Sequence, residues 1–212
     1  MPIDVLAGIF LGLAIVPAIV LHEVSHGFIA DRLGDPTARN AGRLSLNPIR
    51  HVDPFGTLIL PGILIAMTIA GIGSGVVFGW AKPVPVSLRR LERPWFDGML
   101  VGLAGPGTNL VLALAGVLTL RAIVPAPGRL VQFLLLWALT NVVLTVFNLL
   151  PIPPLDGSSV VTWLLPGRLR QAYLSLGRFG MLLLLFAILA FPGLLSRLVE
   201  PIVSGLFETM LR

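Results

Sequence analysis

Long apolar runs separated by short polar stretches dominate the chain. They cover residues 3–21, 55–79, 99–120, 131–150 and 179–195, each close to the roughly 20 residues with which a helix spans a bilayer. The pattern predicts an all-α polytopic membrane protein. Because the first run is not preceded by basic residues or followed by a small-residue cleavage site, we expect a membrane helix there rather than a removable signal peptide.

The polar stretches are too short to form a separate soluble domain. We therefore expect one membrane-embedded domain over residues 1–212, with its core at about 3–165 and a C-terminal helix at about 179–197. Composition agrees, since 56% of the residues are hydrophobic, 12% are charged and the mean hydropathy is +0.94.

Charge and cysteine content exclude several kinds of function. The net charge is +5, but the 15 basic residues lie in short loops and form no continuous stripe, so we expect no nucleic-acid partner. Cysteine is absent, which excludes a disulfide framework and a thiolate metal site. A bound metal would have to use His, Asp, Glu or backbone ligands.

The first apolar run ends in His22-Glu23-Val24-Ser25-His26, and the apolar pattern continues until Gly34, a residue suited to a helix C-terminus. The motif is therefore predicted to be helical. One turn separates His22 from His26, so both imidazoles can reach one Zn2+ while Glu23 acts on water beside it. Interfacial polar anchoring is the alternative, but three such residues at membrane depth are costly and usually functional.

A catalytic zinc site needs a third protein ligand. The soluble pattern with a third histidine six residues after the second is excluded, because position 32 is Arg32 and Ile29 stands where glycine is needed. The next glutamate, Glu92, lies in an Arg-rich loop. Asp156 follows the fourth run, after prolines that force the helix to unwind at membrane depth. Asp156 is thus the predicted third ligand, with an ordinary Asp-Gly turn as the alternative.

Three motifs together resemble the site-2 protease family of intramembrane zinc metalloproteases. They are His22-Glu23-x-x-His26, Ala104-Gly105-Pro106-x-x-Asn109 and Asn148-x-x-Pro151-x-x-x-x-Asp156-Gly157, in that family's order. Further segments, such as Gly79-Trp80-Ala81-Lys82-Pro83-Val84-Pro85-Val86, look like the compact bacterial and archaeal branch without PDZ or CBS domains.

The resemblance implies that His22, His26 and Asp156 bind zinc, and that Glu23 is the general base and acid. It also implies that Asn148 holds the substrate strand or the scissile carbonyl. The alternative for Asn148 is a bond between helices, because Asn141 lies on the same helix face. His51 and Asp53 are the second candidates for metal ligands, although a lone loop histidine is more often a surface residue or a partner of a ligand.

These residues predict an enzyme that cuts peptide bonds in or near the transmembrane segments of other membrane proteins. Its partners would be those substrates and the lipid bilayer. The competing hypothesis is a zinc-binding or transport membrane protein that uses the same ligands without hydrolysis. Glu23 separates the two, because transport does not need a base beside the histidines.

A shared zinc also constrains topology, because both metal motifs follow the C-terminal ends of their segments. The two segments must run in the same direction, so one of the two runs between them cannot cross. Run 55–79 is the candidate for a re-entrant hairpin, because Pro61-Gly62, Gly71, Gly73 and Gly75 interrupt it. We expect about four transmembrane helices plus this hairpin, with room for short β-strands.

The distribution of basic residues orients this arrangement in a cell (inner or plasma) membrane. Eleven of the 15 lie on the active-site side and four on the other, which places the active site towards the cytoplasm and both termini outside. The eleven are Arg32, Arg39, Arg43, Arg50, Lys82, Arg89, Arg90, Arg93, Arg168, Arg170 and Arg178, and the four are Arg121, Arg129, Arg197 and Arg212.

Overall fold

The computed structural model of the chain describes residues 5–71, 79–123, 128–190, 197, 200, 201, 203–205 and 208. About 78% is helical, and these residues contain no β-strand, so the short strands allowed for by the sequence are not found in them. The seven α-helices of this part are α1 Val5–Arg32, α2 Thr37–Asn40, α3 Leu60–Ile69, α4 Pro94–Ile123, α5 Gly128–Asn148, α6 Ser158–Leu164 and α7 Gly167–Ala190.

Three helices of the described part are long and apolar enough to cross a membrane, namely Gly8–Arg32 of α1, Pro94–Ile123 and Gly128–Asn148. Their large apolar side chains also point outwards. Leu13 is 56% exposed and Leu118 is 62% exposed, which would be costly in water and is expected of a surface that faces lipid.

Hydrogen bonds between these helices establish their directions. His22 and His26 of α1 contact Asn109 and Val101 of α4, so the residue numbers rise on one helix as they fall on the other. From α5, Trp137 bonds to Leu112 of α4 and Thr145 bonds to Pro106, again with the residue numbers in opposite order. Each neighbouring pair is thus antiparallel, and α1 and α5 run in the same direction, as a shared metal site requires.

Small residues allow α4 and α5 to pack closely. A Cβ atom on Gly116 would lie 2.7 Å from the Trp137 ring, and the indole Nε1 of Trp137 donates to the Leu112 carbonyl. Ala113, Val117, Ala138, Val142, Val146 and Val203 form a buried apolar cluster along this contact. Close backbone approach through small residues is typical of helices packed within a bilayer.

The segment after α2 leaves the helix bundle and returns to its starting point. A π-helical stretch, Pro54–Ile59, leads directly into α3, which ends before Gly71 in the left-handed region (φ +72°). On the return, Trp80 N–H donates to the Gly56 carbonyl at 3.1 Å, and Thr57 Oγ1 donates to the Trp80 carbonyl at 2.8 Å. The two ends of predicted run 55–79 therefore lie side by side.

Several predicted features lie wholly or partly outside the described residues. These are Gly73 and Gly75 of run 55–79, residues 191–195 of the last run, and Arg212. The predicted C-terminal helix at 179–197 begins earlier, at Gly167. Its first turns are amphipathic rather than apolar, since they carry Arg168, Arg170 and Gln171, so hydropathy alone placed its start too late.

Gly34 ends α1 as predicted, with φ of +101°, and the chain turns directly into a buried aspartate. Asp35 is fully buried and accepts bonds from the Ser87 N–H, the Thr37 N–H and the Thr37 hydroxyl. Burial raises the pKa of Asp35, but these donors and the charge of Arg90 outweigh it, so its pKa lies below the usual range. Asp35 thereby attaches residues 79–87 to the end of α1.

Asp35→Asn should lower the free energy of unfolding by about 1–3 kcal/mol at neutral pH, because an amide cannot accept all three bonds. Because the folded-state pKa is depressed, this contribution is present above the unfolded value of about 3.9 and is lost as pH falls through the folded value. Denaturant titration in detergent micelles should show that the difference in free energy of unfolding between wild type and Asp35→Asn narrows below about pH 4. The variant Glu92→Gln, at an exposed position, is the control. Equal stability of the two proteins at pH 7 would contradict this role.

Candidate active site

Two histidines and one aspartate meet where α1, α4 and the end of α5 come together. His22 Nε2 lies 3.0 Å from Asp156 Oδ2, His26 Nε2 lies 3.3 Å from the same oxygen, and the two Nε2 atoms are 3.1 Å apart. Among the residues that the structure describes, this is the only group of three or more His, Asp or Glu side chains placed to share a metal. Both histidines are buried.

In the neutral form of each ring, the hydrogen bond places the proton on Nδ1 and leaves Nε2 with a lone pair. His26 Nδ1 is 2.7 Å from the Val101 carbonyl, which can only accept, so Nδ1 carries the proton. His22 Nδ1 is 2.5 Å from Asn109 Oδ1 and donates likewise. Asp156 Oδ2 is buried and accepts no well-oriented hydrogen bond from the described residues, despite the two nearby nitrogens. Three lone-pair-bearing atoms thus face each other.

This arrangement fits a zinc ion. Such close lone pairs repel unless a cation lies between them, and neutral imidazole nitrogens and carboxylate oxygens are zinc ligands. Tetrahedral bonds of about 2.0–2.1 Å separate ligand atoms by about 3.3 Å, close to the three observed distances. The third donor predicted from the broken end of α5 is therefore in place beside the histidines.

Residues between α5 and α6 present Asp156. Asn148 ends α5, and the chain then turns through prolines, with the Gly157 N–H donating to the Asn148 carbonyl at 2.6 Å. A Cβ atom on Gly157 would overlap the Leu149 carbonyl, so this tight return requires glycine. Leu155 packs against Leu184 of α7 and fixes the other side of the loop.

Glu23 lies beside the three-residue cluster and is not one of its members. Its Oε2 accepts a hydrogen bond of 2.9 Å from the Val84 N–H. Both residues line a cavity of about 550 Å3 that also contains His22, His26 and Asp156. A backbone donor from another wall of the cavity therefore holds the Glu23 carboxylate in the cavity that His22, His26 and Asp156 also line.

Apolar side chains form most of this cavity. Residues 79–86 make one wall, α7 contributes Met181 and Leu184, and Phe147 and Asn148 come from the end of α5. Asn148 donates from Nδ2 to the Leu144 carbonyl of its own helix, while Asn141 pairs with Asn109 and Trp137 instead. Of the two asparagines on this helix face, Asn141 thus bonds across to α4, whereas the Asn148 bond lies within α5.

The second candidates for metal ligands lie elsewhere. His51 is buried, and its Nε2 is 2.8 Å from the Ser45 carbonyl, to which it donates. Asp53 caps the π-helical stretch by accepting from the N–H groups of Phe55 and Gly56. Each has a local structural role, and neither belongs to the three-residue cluster.

Three partners of the site were not assigned by sequence reasoning. The Val101 carbonyl and the Val84 N–H are backbone groups, which leave no residue-type signal. Gly105 lies directly against both metal-binding rings, since an added Cβ atom would approach His22 Nε2 to 2.6 Å. Gly105 and Asn109 belong to the motif Ala104-Gly105-Pro106-x-x-Asn109, which was the sequence signal that could have identified them.

The fold and the site define a helical protein with three helices apolar enough to cross a membrane, in which two buried histidines and an aspartate are placed to share a metal ion in a cavity that Glu23 also lines. Comparisons with known proteins specify it further. The profile described as Peptidase family M50 matches residues 123–190, which include Asn148 and Asp156. No solved structure matches the chain significantly.

A protein of Bacillus subtilis (strain 168) named "Putative zinc metalloprotease YwhC" is 35% identical over 212 residues, covering 96% of this chain and 90% of the relative. Two proteins named "Putative zinc metalloprotease Rip2" are also similar. The one from Mycolicibacterium smegmatis is 35% identical over 66% of this chain, and the one from Mycobacterium tuberculosis (strain H37Rv) is 33% identical over 82%. This chain covers 51% and 64% of their respective lengths.

The chain belongs to peptidase family M50, the site-2 protease family. It is a zinc metalloprotease whose apolar helices fit action within the membrane, as the three motifs predicted.

Gly105→Ala should weaken zinc binding by about tenfold or more, because the new methyl group displaces the rings of His22 and His26. Gly107→Ala is the matched control, since nothing lies within 4 Å of the corresponding Cβ position on the same helix. Competition with a chromophoric chelator measures both affinities. Equal zinc affinity in the two variants would contradict the role of Gly105 in leaving space for the two histidine rings.

Proposed function

We propose that this protease hydrolyses peptide bonds within or beside the transmembrane segments of other membrane proteins. In this proposal His22, His26 and Asp156 hold one zinc, and Glu23 is the general base and acid. The observation that supports it most directly is the position of the cluster, in the wall of an apolar cavity between helices long enough to span a bilayer. Substrates reach such a site from the membrane.

Zinc held by these residues would supply Lewis acidity, which would polarise the scissile carbonyl and make water more acidic. Glu23 takes a proton from the attacking water and gives it to the leaving amine. The Val84 N–H keeps the carboxylate in place at 2.9 Å during this exchange. His22 and His26 keep their Nε2 lone pairs directed at the metal position through their Nδ1 bonds.

The substrate must expose a carbonyl to these groups. A transmembrane helix satisfies its own backbone bonds, so it has to unwind locally before cleavage. Asn148 lines the cavity beside Asp156 and is proposed to hold the substrate strand or the scissile carbonyl. The predominantly apolar walls favour uncharged residues around the scissile bond.

The hydrolytic reading is preferred over zinc transport or storage because of Glu23. Its carboxylate lines the same cavity as the three ligand atoms and is bonded to a backbone N–H, yet it is not in the ligand cluster. A transport or storage site would not require a base at that position.

The proposed topology has about four crossings and one re-entrant element. The adjacency of Gly56 and Trp80 supports a hairpin that enters and leaves on one side, and the shared direction of α1 and α5 requires it. The excess of basic residues on the active-site side supports a cell membrane with that side in the cytoplasm.

Glu23→Gln should abolish proteolysis while leaving about one zinc per chain, because glutamine can still accept from the Val84 N–H but cannot accept a proton. A chromosomal variant should accumulate uncut membrane proteins and lose peptide termini that map inside transmembrane segments. Terminal-peptide mass spectrometry and metal analysis give the two readouts, with exposed Glu92→Gln as control. Retained cleavage, or zinc loss together with activity, would refute the role of Glu23.

Single cysteines at Asn40, Ser87 and Gly167 test the topology in a chain that has no other cysteine. An impermeant thiol reagent applied to intact cells should leave all three unlabelled, and opening the membrane should expose them. A cysteine at Arg121 should label from outside. If position 87 alone were labelled in intact cells, run 55–79 would cross fully and the hairpin would be wrong.

A further inference from the structure

We propose that Asn109 and Asn141 are positioning residues that together fix the ring tautomer and the orientation of His22. The inference rests on the proposed role of His22 as a zinc ligand. Asn109 belongs to the middle sequence motif, and Asn141 is one helix further from the metal. Both side chains are 0% exposed, so neither can exchange its partners for water.

The direction of the hydrogen bonds can be followed from one fixed end. The Trp137 carbonyl can only accept, so it orients the Asn141 amide with Nδ2 towards it at 2.9 Å. Asn141 Oδ1 then faces α4 and accepts from Asn109 Nδ2 at 2.9 Å. This leaves Asn109 Oδ1 as the acceptor opposite His22 Nδ1.

The Ala18 carbonyl supports the same orientation of Asn109. It lies 3.3 Å from Asn109 Nδ2 and can only accept. Every member of the series therefore has one allowed direction, and His22 must carry its proton on Nδ1. Its Nε2 is then free to bind a metal.

The opposite orientation of the Asn109 amide would place the His22 proton on the wrong ring nitrogen. If the Asn109 amide were flipped, its NH2 group would face His22 Nδ1, which would then have to accept. The proton would move to Nε2 and point at Asp156 Oδ2, only 3.0 Å away, and His22 could not bind zinc. Asn141 opposes this flip because two amide oxygens would then face each other.

The two metal-binding histidines differ in this respect. His26 donates to the Val101 carbonyl, a backbone group whose direction is fixed by helix α4. His22 instead depends on side chains, which can rotate and which substitution can alter. Only the His22 side of the centre should therefore respond to changes at Asn109 and Asn141.

Thr145 allows this role to be distinguished from simple helix packing. Its hydroxyl lies 3.2 Å from the Pro106 carbonyl, so it also joins α5 to α4, and it is 3% exposed. Its other hydrogen bond, of 2.8 Å, goes to the backbone carbonyl of Asn141 and not to the side-chain amide that contacts Asn109. Thr145→Val thus removes a buried polar contact between the same two helices while leaving every side chain of the proposed series in place.

The experiment measures zinc affinity of the purified full chain by chelator competition, and its thermal midpoint in the same detergent. Asn109→Leu should bind zinc about 10- to 100-fold more weakly, and Asn141→Leu should be weaker by about fivefold or more although it contacts no ligand. Asn109→Asp keeps an oxygen acceptor opposite His22 Nδ1 but places its second oxygen opposite Asn141 Oδ1, so its zinc affinity should lie between those of Asn109→Leu and wild type. Thr145→Val should stay within about threefold of wild type, whatever its thermal midpoint.

Wild-type affinity in Asn109→Leu would overturn the proposal, as would a loss in Thr145→Val equal to that in Asn109→Leu. Wild-type affinity in Asn141→Leu would do so too, because the series then would not extend past Asn109. If Asn109→Leu fails to fold, Asn141→Leu still decides, because it contacts no ligand. His22→Ala tests the proposed metal centre separately from the role of the two asparagines. Unchanged zinc binding in that variant would exclude His22 as a ligand and refute the proposed metal centre itself.

Discussion

Polar groups inside a helix bundle that faces lipid must find their partners within the protein, and this constraint shapes the rest of the structure. An unsatisfied buried donor or acceptor costs several kcal/mol in hydrocarbon. The series from the Trp137 carbonyl through two asparagines to His22 satisfies this constraint across α1, α4 and α5. Together with the bond from His26 to the Val101 carbonyl, it directs both Nε2 atoms towards Asp156 Oδ2.

The same constraint explains how irregular backbone can form a wall of the site. Residues 82–87 form no regular secondary structure, and four of their backbone groups bond individually to other parts of the chain. Arg43 donates to the Lys82 carbonyl, the His51 carbonyl accepts from the Lys82 N–H, Glu23 accepts from Val84, and Asp35 accepts from Ser87. The hydrogen bond from the Val84 N–H to Glu23 therefore both positions the Glu23 carboxylate and holds the cavity wall in place.

The apolar runs and the residues with distinctive chemistry were predictable from sequence. Hydropathy located α1, α4 and α5, Gly34 marked the end of α1, and elimination among the possible third ligands found Asp156. The start of α7 was placed too late because its first turns are amphipathic. The partners Val84 and Val101 act through backbone groups, and Gly105 acts by lacking a side chain, so only tertiary contacts show what they do.

The central claim is that two histidines and one aspartate of this chain bind zinc inside the bundle. Zinc K-edge X-ray absorption of the purified full chain tests it most directly. The account predicts two imidazole nitrogens and carboxylate oxygen at about 2.0–2.1 Å, with the carboxylate contribution lost in Asp156→Ala. A shell of three imidazoles would bring in His51, the one further histidine of the chain, and would contradict the account.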